Sequence, residues 1–507
     1  MVSDFFYPAV GGVEDHIFKL SAHLMRRGHK VIAITHSHPP DRTGIRHLSI
    51  IPALGDAEVE EDTDKDSEDM KHSKRENAGT NRRAGKRKPR LITLKVYHIP
   101  FPTLVSNATL PNFFAFMPYL RTILLREHIT LVHGHGSLSS FAHEAILDAH
   151  LLGLKSVFTD HSLFGFDDAA SILTNKLMVG TMRCVGAVIC VSHTARENTV
   201  LRAHLFEEPV DAKGPLTVKK NVYVIPNAIV AAQFKPAPPL PRSDGIVTIA
   251  VMSRLAYRKG VDLLVATAPR ICALFPNVRL IIGGDGPKLV DLLQMREKHM
   301  LQDRIELLGS VRPANVQSVL AKAQIFLNTS LTESFGTAIL EAACAGLYVV
   351  TTRVGGVPEV LPFKTLAQVE ESKGDMLRTD ILHALRLSIP HISSPSPSST
   401  SHSPSKSHAL IASSPYTWPA VARRTERVYC SSHVDEAAKM GVLERMERVR
   451  GVGRVAGLIW GAIFVVGVMW WGVLEWVLPR EKVERVEWDG GWDGEGDVGM
   501  MMVMPDV

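Results

Sequence analysis

Short apolar runs alternate with amphipathic stretches along most of the chain. Runs rich in Val and Ile are typical of buried strands, and the stretches between them have helical spacing. This alternation predicts βαβ units and parallel sheets, and we expect a first strand from Val2 to Phe6. The other predicted strands are 30–35, 130–133, 155–159, 187–191, 222–225, 246–252, 278–283, 305–308, 324–328 and 347–351.

A proline-rich run at 236–241 divides these strands into two sets. We therefore predict two doubly wound, Rossmann-like α/β domains, 1–235 and 236–387. In sheets of this kind, ligands bind at the carboxyl ends of the strands, and large pockets form between domains. The pattern places the candidate site in the cleft that the two domains face.

Two segments interrupt the alternation. Residues 56–90 form an acidic block followed by a basic block with hardly an apolar residue, and residues 388–415 are dominated by Ser, Pro and His. Such segments bury too little apolar surface to offset the entropy lost on ordering. We interpret both as disordered inserts, although the basic half of the first would also suit a nuclear-targeting signal.

One apolar run near the end of the chain, 455–474, contains no charged residue. At about 1.5 Å per residue, a helix of this length crosses a hydrocarbon core of about 30 Å. We predict a transmembrane helix at 455–478; the alternative is a fully buried core helix. A basic segment at 416–454 precedes it and an acidic tail at 479–507 follows, so the positive-inside rule predicts a single pass with cytosolic domains.

Composition narrows the possible functions. The 507 residues exceed what one hydrophobic core usually holds, in agreement with two domains. The chain has 57 basic and 52 acidic residues, and the resulting net charge of +5 is too small to indicate a nucleic-acid partner. The five cysteines lie far apart without a C-x-x-C pair, which favours reduced thiols over a disulfide framework or a zinc site.

Two groups of residues could bind phosphate. Gly11 and Gly12 follow the predicted first strand and precede a helix, where free N–H groups favour an anion, although a plain tight turn explains them equally well. Arg254 and Lys259 follow the strand at 246–252, and two cations there suit a pyrophosphate. Taken alone, they also fit a solvated basic loop.

The pattern E-x7-E joins Glu333 and Glu341 across a strand-to-helix junction. Eight helical steps return to nearly the same face, so we expect both carboxylates to face one ligand. Carboxylates accept hydrogen bonds from sugar and ribose hydroxyls, while a helix start offers N–H groups to phosphate. The segments around this pair include the residues Ser334, Phe335 and Gly336, the turn with Gly284 and Gly286, and the loop 355–359, GGVPE.

The order of these motifs resembles the retaining, nucleotide-sugar-dependent glycosyltransferases of family 4, which have the two-domain GT-B fold. The resemblance narrows to the branch of this family that transfers N-acetylglucosamine to phosphatidylinositol at the start of glycosylphosphatidylinositol (GPI) anchor synthesis. It covers about residues 1–360 apart from the inserts. The segments that carry it include MVSDFFYPAVGGVEDHI, VHGHGS, FTDHSLFGF, ICVSHTARENTVLRA, VIPNA, SRLAYRKGVDLL, FLNTSLTESFGTAILEAACAGL and TRVGGVPEVLP.

The resemblance implies roles for the motif residues. Gly11, Gly12, Arg254 and Lys259 would hold the donor diphosphate. Glu341 would bind the ribose and Glu333 the donor sugar. The Gly284–Gly286 turn and residues 334–336 would complete the donor site.

His161 would lie beside the reacting sugar, although without the resemblance it is an ordinary histidine at a strand end. His133 and His135 would line the acceptor side or merely cap a strand. The H-x-H pair lacks an evident third ligand, and family 4 enzymes need no metal, so we expect neither a metal nor a cofactor.

The implied reaction transfers N-acetylglucosamine from UDP-GlcNAc to phosphatidylinositol with retention, on the cytosolic face of the endoplasmic reticulum membrane. Other membrane subunits of a transferase complex are the implied partners. Two alternatives remain open: another family 4 lipid glycosyltransferase, such as a phosphoinositide mannosyltransferase, and a membrane-tethered scaffold without catalysis. A nicotinamide oxidoreductase is disfavoured because the dinucleotide fingerprint is missing.

Overall fold

The computed structural model describes eleven stretches of the chain. These are residues 1–9, 11–39, 42–50, 92–105, 108–165, 169–207, 216–237, 245–361, 366–369, 375–393 and 403–486. The predicted insert 56–90 and the predicted acidic tail beyond residue 486 lie outside the described residues.

The N-terminal domain contains a central sheet between helices. Its elements are α1 (Gly12–Arg26), β1 (Ile32–His36), β2 (Gly44–Ile50), β3 (Ile92–Ile99), β4 (Thr103–Val105), β5 (Ala108–Thr109), α2 (Phe116–Arg126), β6 (Leu131–His135), α3 (Ser140–Leu151), β7 (Lys155–Asp160), α4 (Ala169–Thr181), β8 (Ala187–Cys190), α5 (His193–Ala203), β9 (Phe206–Glu207), β10 (Thr217–Val218) and β11 (Val222–Val224). The central strands β1 and β8 are buried along their whole length, and β7 is buried after its first residue, because helices cover both faces.

Two groups of strands form this sheet. The orders are β1-β3-β2 and β11-β8-β7-β6, and all neighbours are parallel except β2 and β3. Val2 makes a parallel bridge to Ile34 of β1 and another to Gly134 of β6. The predicted first strand from Val2 to Phe6 is therefore wrong in length: it is reduced to this bridge, which joins the two groups.

The C-terminal domain is a fully parallel, six-stranded doubly wound sheet with the order β14-β13-β12-β15-β16-β17. Its elements are β12 (Val247–Met252), α6 (Val261–Leu274), β13 (Val278–Gly283), α7 (Leu289–Lys298), β14 (Ile305–Gly309), α8 (Val316–Leu320), β15 (Ile325–Asn328), α9 (Thr337–Cys344), β16 (Tyr348–Thr352), α10 (Val357–Val360), β17 (Leu366–Val369) and α11 (Asp375–Ser393). The strand order reverses between β12 and β15, which is where such sheets open a ligand crevice.

Apart from the first strand, every predicted strand is confirmed to within two residues at each end. Among the described residues, seven strands were not predicted from the sequence: β2 and β3, which lie on either side of the charged insert, the short strands β4, β5, β9 and β10, and β17, which follows α10. The long charged insert hid the first two, because it separates strands that pair as neighbours.

The prediction that 388–415 is disordered is wrong where the structure describes this segment. Helix α11 extends to Ser393, and a further helix, α12 (Pro404–Ala412), packs against α9. Pro404 occupies the first turn of α12, where its missing N–H costs nothing. Ile411 is 3% exposed and belongs to the core. A polar average composition concealed one short apolar face.

The chain then returns to the N-terminal domain through α13 (Trp418–Tyr429), followed by α14 (Ser432–Lys439) and α15 (Val442–Arg450). Helix α13 packs against α1. Glu426 accepts hydrogen bonds from Arg27 at 2.9 Å and from His29 at 2.8 Å. Residues from the last quarter of the chain thus complete the N-terminal domain.

The last helix, α16 (Arg454–Val477), is the one helix among the described residues that is long and apolar enough to cross a membrane. A stripe containing Gly457, Gly461 and Gly467 faces the protein, but Leu458 and Trp476 on other sides are 65% and 83% exposed. These exposures exclude the alternative of a fully buried core helix. A helix with this much exposed apolar surface is typical of a membrane anchor.

Helix α16 touches the N-terminal domain near both of its ends. The Trp460 ring lies 6.0 Å from the Phe113 ring near the start. Near the other end, Glu475 pairs with the buried Arg121 of α2 at 2.5 Å. After the helix, the Val486 N–H donates to the Arg126 carbonyl at 2.9 Å.

Candidate active site

Loops from both domains meet at the carboxyl ends of their strands. The N-terminal domain contributes the start of α1 and the ends of β6 and β7, and the C-terminal domain contributes the loops after β12 and β15. Ser334 Oγ donates to the His161 carbonyl at 2.5 Å, and Ser192 Oγ donates to the Ser334 carbonyl at 2.6 Å. These bonds bring the predicted residues 161 and 333–336 to one place in the cleft.

Lys259 and Glu333 form an ion pair in the C-terminal half of the site. Lys259 Nζ lies 2.6 Å from Glu333 Oε1, and Ser330 Oγ donates to the same oxygen at 2.8 Å. Gly260 has a φ of 66°, and a Cβ there would lie 1.8 Å from the Thr329 carbonyl oxygen. Only glycine allows the two loops to approach so closely, which sets the cation beside the carboxylate.

Glu341 lies in α9, but Glu333 does not. Gly336, with a φ of 91°, precedes the first residue of α9, Thr337, so the expectation that both carboxylates lie on one helical face is wrong. The left-handed glycine breaks the helical periodicity between them. Burial raises the pKa of Glu341 to about 7, and Lys19 and Asp15 of α1 act on it with opposite signs. Glu341 therefore faces α1 across the cleft.

Arg254 is exposed at the edge of the cleft. Its loop is held by the predicted glycine turn: a Cβ at Gly284 would lie 1.8 Å from the Ser253 carbonyl oxygen, and one at Gly286 would lie 2.4 Å from that of Leu255. Close packing therefore explains why both positions are glycine. They support the Arg254 loop, and the structure shows no separate need for them as ligand contacts.

Gly11 and Gly12 form the start of α1, as the sequence predicts, with Gly11 in extended backbone at the N-cap. The N-cap residue Gly11 has no side chain with which to cap this end. Burial raises the pKa of Glu14 in the first turn, while the charge of Arg254 lowers it. The charge of Arg254 therefore acts on the start of α1, where the Glu14 carboxylate accepts hydrogen bonds from the Val13 and Glu14 N–H groups. A helix start of this kind also suits a phosphate.

Ser334 and Phe335 have structural partners. The Ser334 hydroxyl donates to the His161 carbonyl, and Phe335 is 3% exposed with its ring 5.8 Å from that of Tyr416. Phe335 belongs to the core. Their contact with a substrate stays a prediction. In the structure, Ser334 joins the two domains through His161, and Phe335 packs on Tyr416.

Three histidines form a cluster on the N-terminal side of the cleft. His135 Nδ1 lies 3.2 Å from His161 Nε2, and the ring of His16, from α1, lies 4.6 Å from that of His161. Burial lowers the pKa of His161 to about 3 and that of His16 and His135 well below the ordinary value. All three are neutral near pH 7, so they offer N–H donors and lone pairs without charge.

The same three side chains could hold a metal ion, since their nitrogen atoms lie within 4.8 Å of one another. This group is not the H-x-H pair completed by a third ligand: His133 is not part of it, and His16 of α1 and His161 join His135. Two of the rings are already joined to each other, and His16 Nδ1 is bonded to Asn227 Oδ1 at 3.0 Å. A hydrogen-bonded network accounts for this geometry without a metal.

His133 lies deeper than the cluster. Its Nδ1 contacts the Tyr429 hydroxyl and its Nε2 the Thr159 hydroxyl, each at 2.7 Å. Both ring nitrogens are thus used inside the protein. The structure favours the strand-end role for His133 over contact with an acceptor.

A buried ion pair supports the His161 loop. Asp160 pairs with Arg202 of α5, and both side chains are fully buried. Asp160 also accepts hydrogen bonds from Ser137 Oγ at 2.6 Å and from Thr199 Oγ1 at 2.8 Å. The backbone on either side of His161 is therefore fixed by two elements.

Several residues of the site were not predicted from the sequence. His16, Asn227 and Trp418 approach the cluster from α1, from the loop after β11 and from α13. A single clue was present: His16 follows Gly12 by one helical turn and so had to face the same cleft. The contacts of Asn227 and Trp418 depend on long-range packing, which no local spacing indicates.

Comparison with known families agrees with this geometry. Residues 80–168 match the family described as PIGA (GPI anchor biosynthesis), and residues 237–365 match glycosyl transferases group 1. The second match contains the Arg254, Lys259, Glu333 and Glu341 positions.

Named relatives cover nearly the whole chain. The chain is 44% identical over 487 residues to the phosphatidylinositol N-acetylglucosaminyltransferase gpi3 subunit of Schizosaccharomyces pombe, covering 96% of this chain and 91% of the relative. It is 41% identical to a subunit of the phosphatidylinositol N-acetylglucosaminyltransferase of Arabidopsis thaliana, covering 96% and 93%. It is 40% identical to the human protein of the same name, covering 96% and 86%.

Solved structures show the same fold at low identity. Sucrose-phosphate synthase from Thermosynechococcus elongatus has a TM-score of 0.56 and 17% identity, with 83% of this chain and 93% of that chain covered. The catalytic domain of starch synthase IV from Arabidopsis thaliana has a TM-score of 0.55 and 15% identity, with 85% and 98% covered.

Two doubly wound domains with a charged cleft between them define a glycosyltransferase of the GT-B fold. The predicted fold class and enzyme class are confirmed. The chain belongs to the family of the phosphatidylinositol N-acetylglucosaminyltransferase gpi3 subunit, which serves GPI-anchor biosynthesis.

Proposed function

We propose that this chain is the catalytic subunit that transfers N-acetylglucosamine from UDP-GlcNAc to phosphatidylinositol, the first step of GPI-anchor biosynthesis, with retention at the anomeric carbon. One observation carries the proposal. Glu333, which pairs with Lys259, lies on a loop that is hydrogen-bonded directly to the His161 backbone of the other domain. A donor held on the C-terminal side would thus lie against the histidine cluster.

The diphosphate of the donor would lie between Arg254, Lys259 and the start of α1. Negative charge grows on the leaving phosphate as the glycosidic bond breaks, and fixed cations and N–H groups stabilise that charge. Glu14 already faces Arg254, which supports a position for the phosphate between the domains. This electrostatic contribution would supply most of the rate enhancement.

Glu333 and Glu341 would orient the donor. Glu341 would accept hydrogen bonds from the ribose, and Glu333, held by Lys259 and Ser330, would accept them from sugar hydroxyls. Neither needs to act as a nucleophile, because an inositol hydroxyl can attack from the face that the phosphate leaves. The neutral ring of His161 would contact the sugar and the acceptor without repelling an oxocarbenium-like centre. The fully buried His135 would support that ring through their direct contact.

A labelled-donor assay tests the proposed reaction. Membranes that contain the chain and its partner subunits are incubated with labelled UDP-GlcNAc or labelled GDP-mannose, and label in phosphatidylinositol is followed. We expect label from UDP-GlcNAc alone and its loss in Glu333→Ala at equal protein level. Label from GDP-mannose alone would favour the mannosyltransferase alternative.

The scaffold alternative has its own test. A membrane-tethered protein without catalysis would not need the cation beside Glu333. We expect Lys259→Ala to fail to restore growth of a strain that lacks this chain. Full complementation by Lys259→Ala would favour the scaffold.

We also propose that α16 anchors the enzyme in the endoplasmic reticulum membrane, with both domains cytosolic. A spanning helix would have to leave its contacts at Arg121 and Arg126, because those residues lie on the cytosolic domain. A glycosylation sequon added after residue 490 separates the two arrangements. Modification of that sequon supports the single pass, whereas an unmodified tail with membrane-bound protein supports a helix that stays on the domain surface.

A further inference from the structure

Glu359 of the C-terminal domain caps a helix of the N-terminal domain. Its Oε2 accepts a hydrogen bond from the His193 N–H at 2.6 Å, and its Oε1 accepts one from the Thr194 N–H at 2.8 Å. The Thr194 hydroxyl donates to the same Oε1 at 2.7 Å. His193 and Thr194 are the first two residues of α5, so a carboxylate from the opposite domain binds the helix start.

The start of α5 has more N–H donors than acceptors of its own. The first N–H groups of a helix have no partner within it, and its positive end favours an anion. The N-cap residue of α5, Ser192, accepts from the Ala195 N–H at 3.0 Å. The two N–H groups before Ala195, those of His193 and Thr194, donate to Glu359. Hydrogen bonds to a charged acceptor are roughly twice as strong as neutral ones.

The segment that carries Glu359 is also joined to the Glu333 loop. The Gly356 N–H donates to the Glu333 carbonyl at 2.9 Å. A Cβ at Gly356 would lie 2.2 Å from the Ser334 carbonyl oxygen and 2.8 Å from Ser192 Oγ. This segment is therefore packed between the two domains, next to the loop that carries the ion pair.

Helix α5 extends the connection to the histidine cluster. Near its far end, Thr199 and Arg202 hold the Asp160 carboxylate, which immediately precedes His161. One rigid helix thus has Glu359 at its start and the support of His161 on its later turns. Displacing the start of α5 would move the cluster relative to Glu333.

We propose that Glu359 is a positioning residue that holds the two domains closed and so sets the Lys259–Glu333 pair against His161. The effect on transfer rests on the function proposed above, whereas the effect on domain closure does not. Glu359 does not need to contact either substrate.

The test measures domain closure and kinetics on the full chain in its complex. Spin labels at Lys220→Cys and Leu274→Cys, both exposed and in different domains, report the interdomain distance. Cys430 is replaced by alanine, because it is the one exposed cysteine. The variants are Glu359→Ala and Glu359→Gln, and Glu197→Ala is the matched control because it removes an exposed carboxylate from the same helix.

We expect Glu359→Ala to add longer interdomain distances to the spin-label distribution. The KM for UDP-GlcNAc should rise about 10-fold, while kcat should change less than about 3-fold because bound donor restores closure. Glu359→Gln, which keeps one acceptor oxygen, should lie between Ala and wild type, and Glu197→Ala should match wild type. An unchanged distance distribution in Glu359→Ala would overturn the proposal, as would a kcat loss without opening. If wild-type protein transferred no sugar from UDP-GlcNAc, the proposed function would be wrong, and the distances would still decide this inference.

Discussion

The two sides of the cleft differ in how they use charge. On the N-terminal side, His16 and His135 are buried, and burial keeps all three histidines of the cluster neutral near pH 7. On the C-terminal side, Arg254 is exposed and Lys259 is paired with Glu333 at 2.6 Å. One side offers shape and neutral hydrogen bonds, and the other offers fixed charge.

This difference matches the chemistry of a transfer reaction. The leaving diphosphate gains charge and needs cations, while the sugar centre becomes electron-poor and would be destabilised by a nearby cation. The neutral histidine side and the cationic side, which we propose binds the phosphate, would satisfy both needs. Breaking one side at a time should therefore give different kinetic effects.

The largest effect should come from Lys259. We expect Lys259→Ala to lower kcat/KM for transfer by about 100- to 1000-fold, because it removes a fixed charge at the leaving phosphate and leaves Glu333 unpaired. Arg258→Ala is the control, since Arg258 is a neighbouring exposed cation stacked on Phe164. The measurement is initial rate with labelled UDP-GlcNAc. An equal loss in Arg258→Ala would mean that a diffuse basic surface acts here.

The next effect concerns the support of the neutral side. Asp160→Asn leaves Arg202 as a fully buried charge without its partner, so we expect a loss of about 3 kcal/mol in unfolding free energy. Urea unfolding in detergent measures this loss, and Glu197→Gln, a variant at an exposed site, is the control. Wild-type stability in Asp160→Asn would show that the His161 loop does not depend on this pair.

The smallest effect is a pH dependence. Because the pKa of Glu341 is raised to about 7, its carboxylate becomes protonated as pH falls through 7 and loses an acceptor for the ribose. We expect the KM for UDP-GlcNAc to rise about 10-fold per pH unit below that value. Because burial lowers the pKa of His161 to about 3, this ring should add no titration to kcat between pH 5 and 9. Glu341→Gln should remove this pH dependence of KM. If KM still changed with pH in that variant, another titrating group would be responsible.

The sequence was a good guide to the fold where strands are buried on both faces. A continuous apolar run such as 187–191 predicted the strand ends to within two residues. It failed where pairing spans a long separation. Val2 pairs with Gly134, and β2 pairs with β3 across the charged insert.

The site was predictable in its charged half. Lys259, Glu333 and Glu341 stand out through motif spacing, although a left-handed Gly336 defeated the helical argument. The neutral half depends on burial: His16 and Asn227 look ordinary until packing brings them to His161. Glu359 was visible only as the end of a glycine loop, and its partner is a helix start in the other domain.

The returning helix α13 has a consequence for biosynthesis. Trp418 packs on His16, and the Tyr429 hydroxyl is bonded to His133, so the histidine side lacks part of its wall until that helix has been made. A ribosome must therefore translate both domains before the first can finish folding. The apolar helix α16 begins about 25 residues after α13 ends. If α16 is the membrane anchor proposed above, the active centre is completed shortly before the anchor is made, which leaves little time for an untethered, fully folded enzyme.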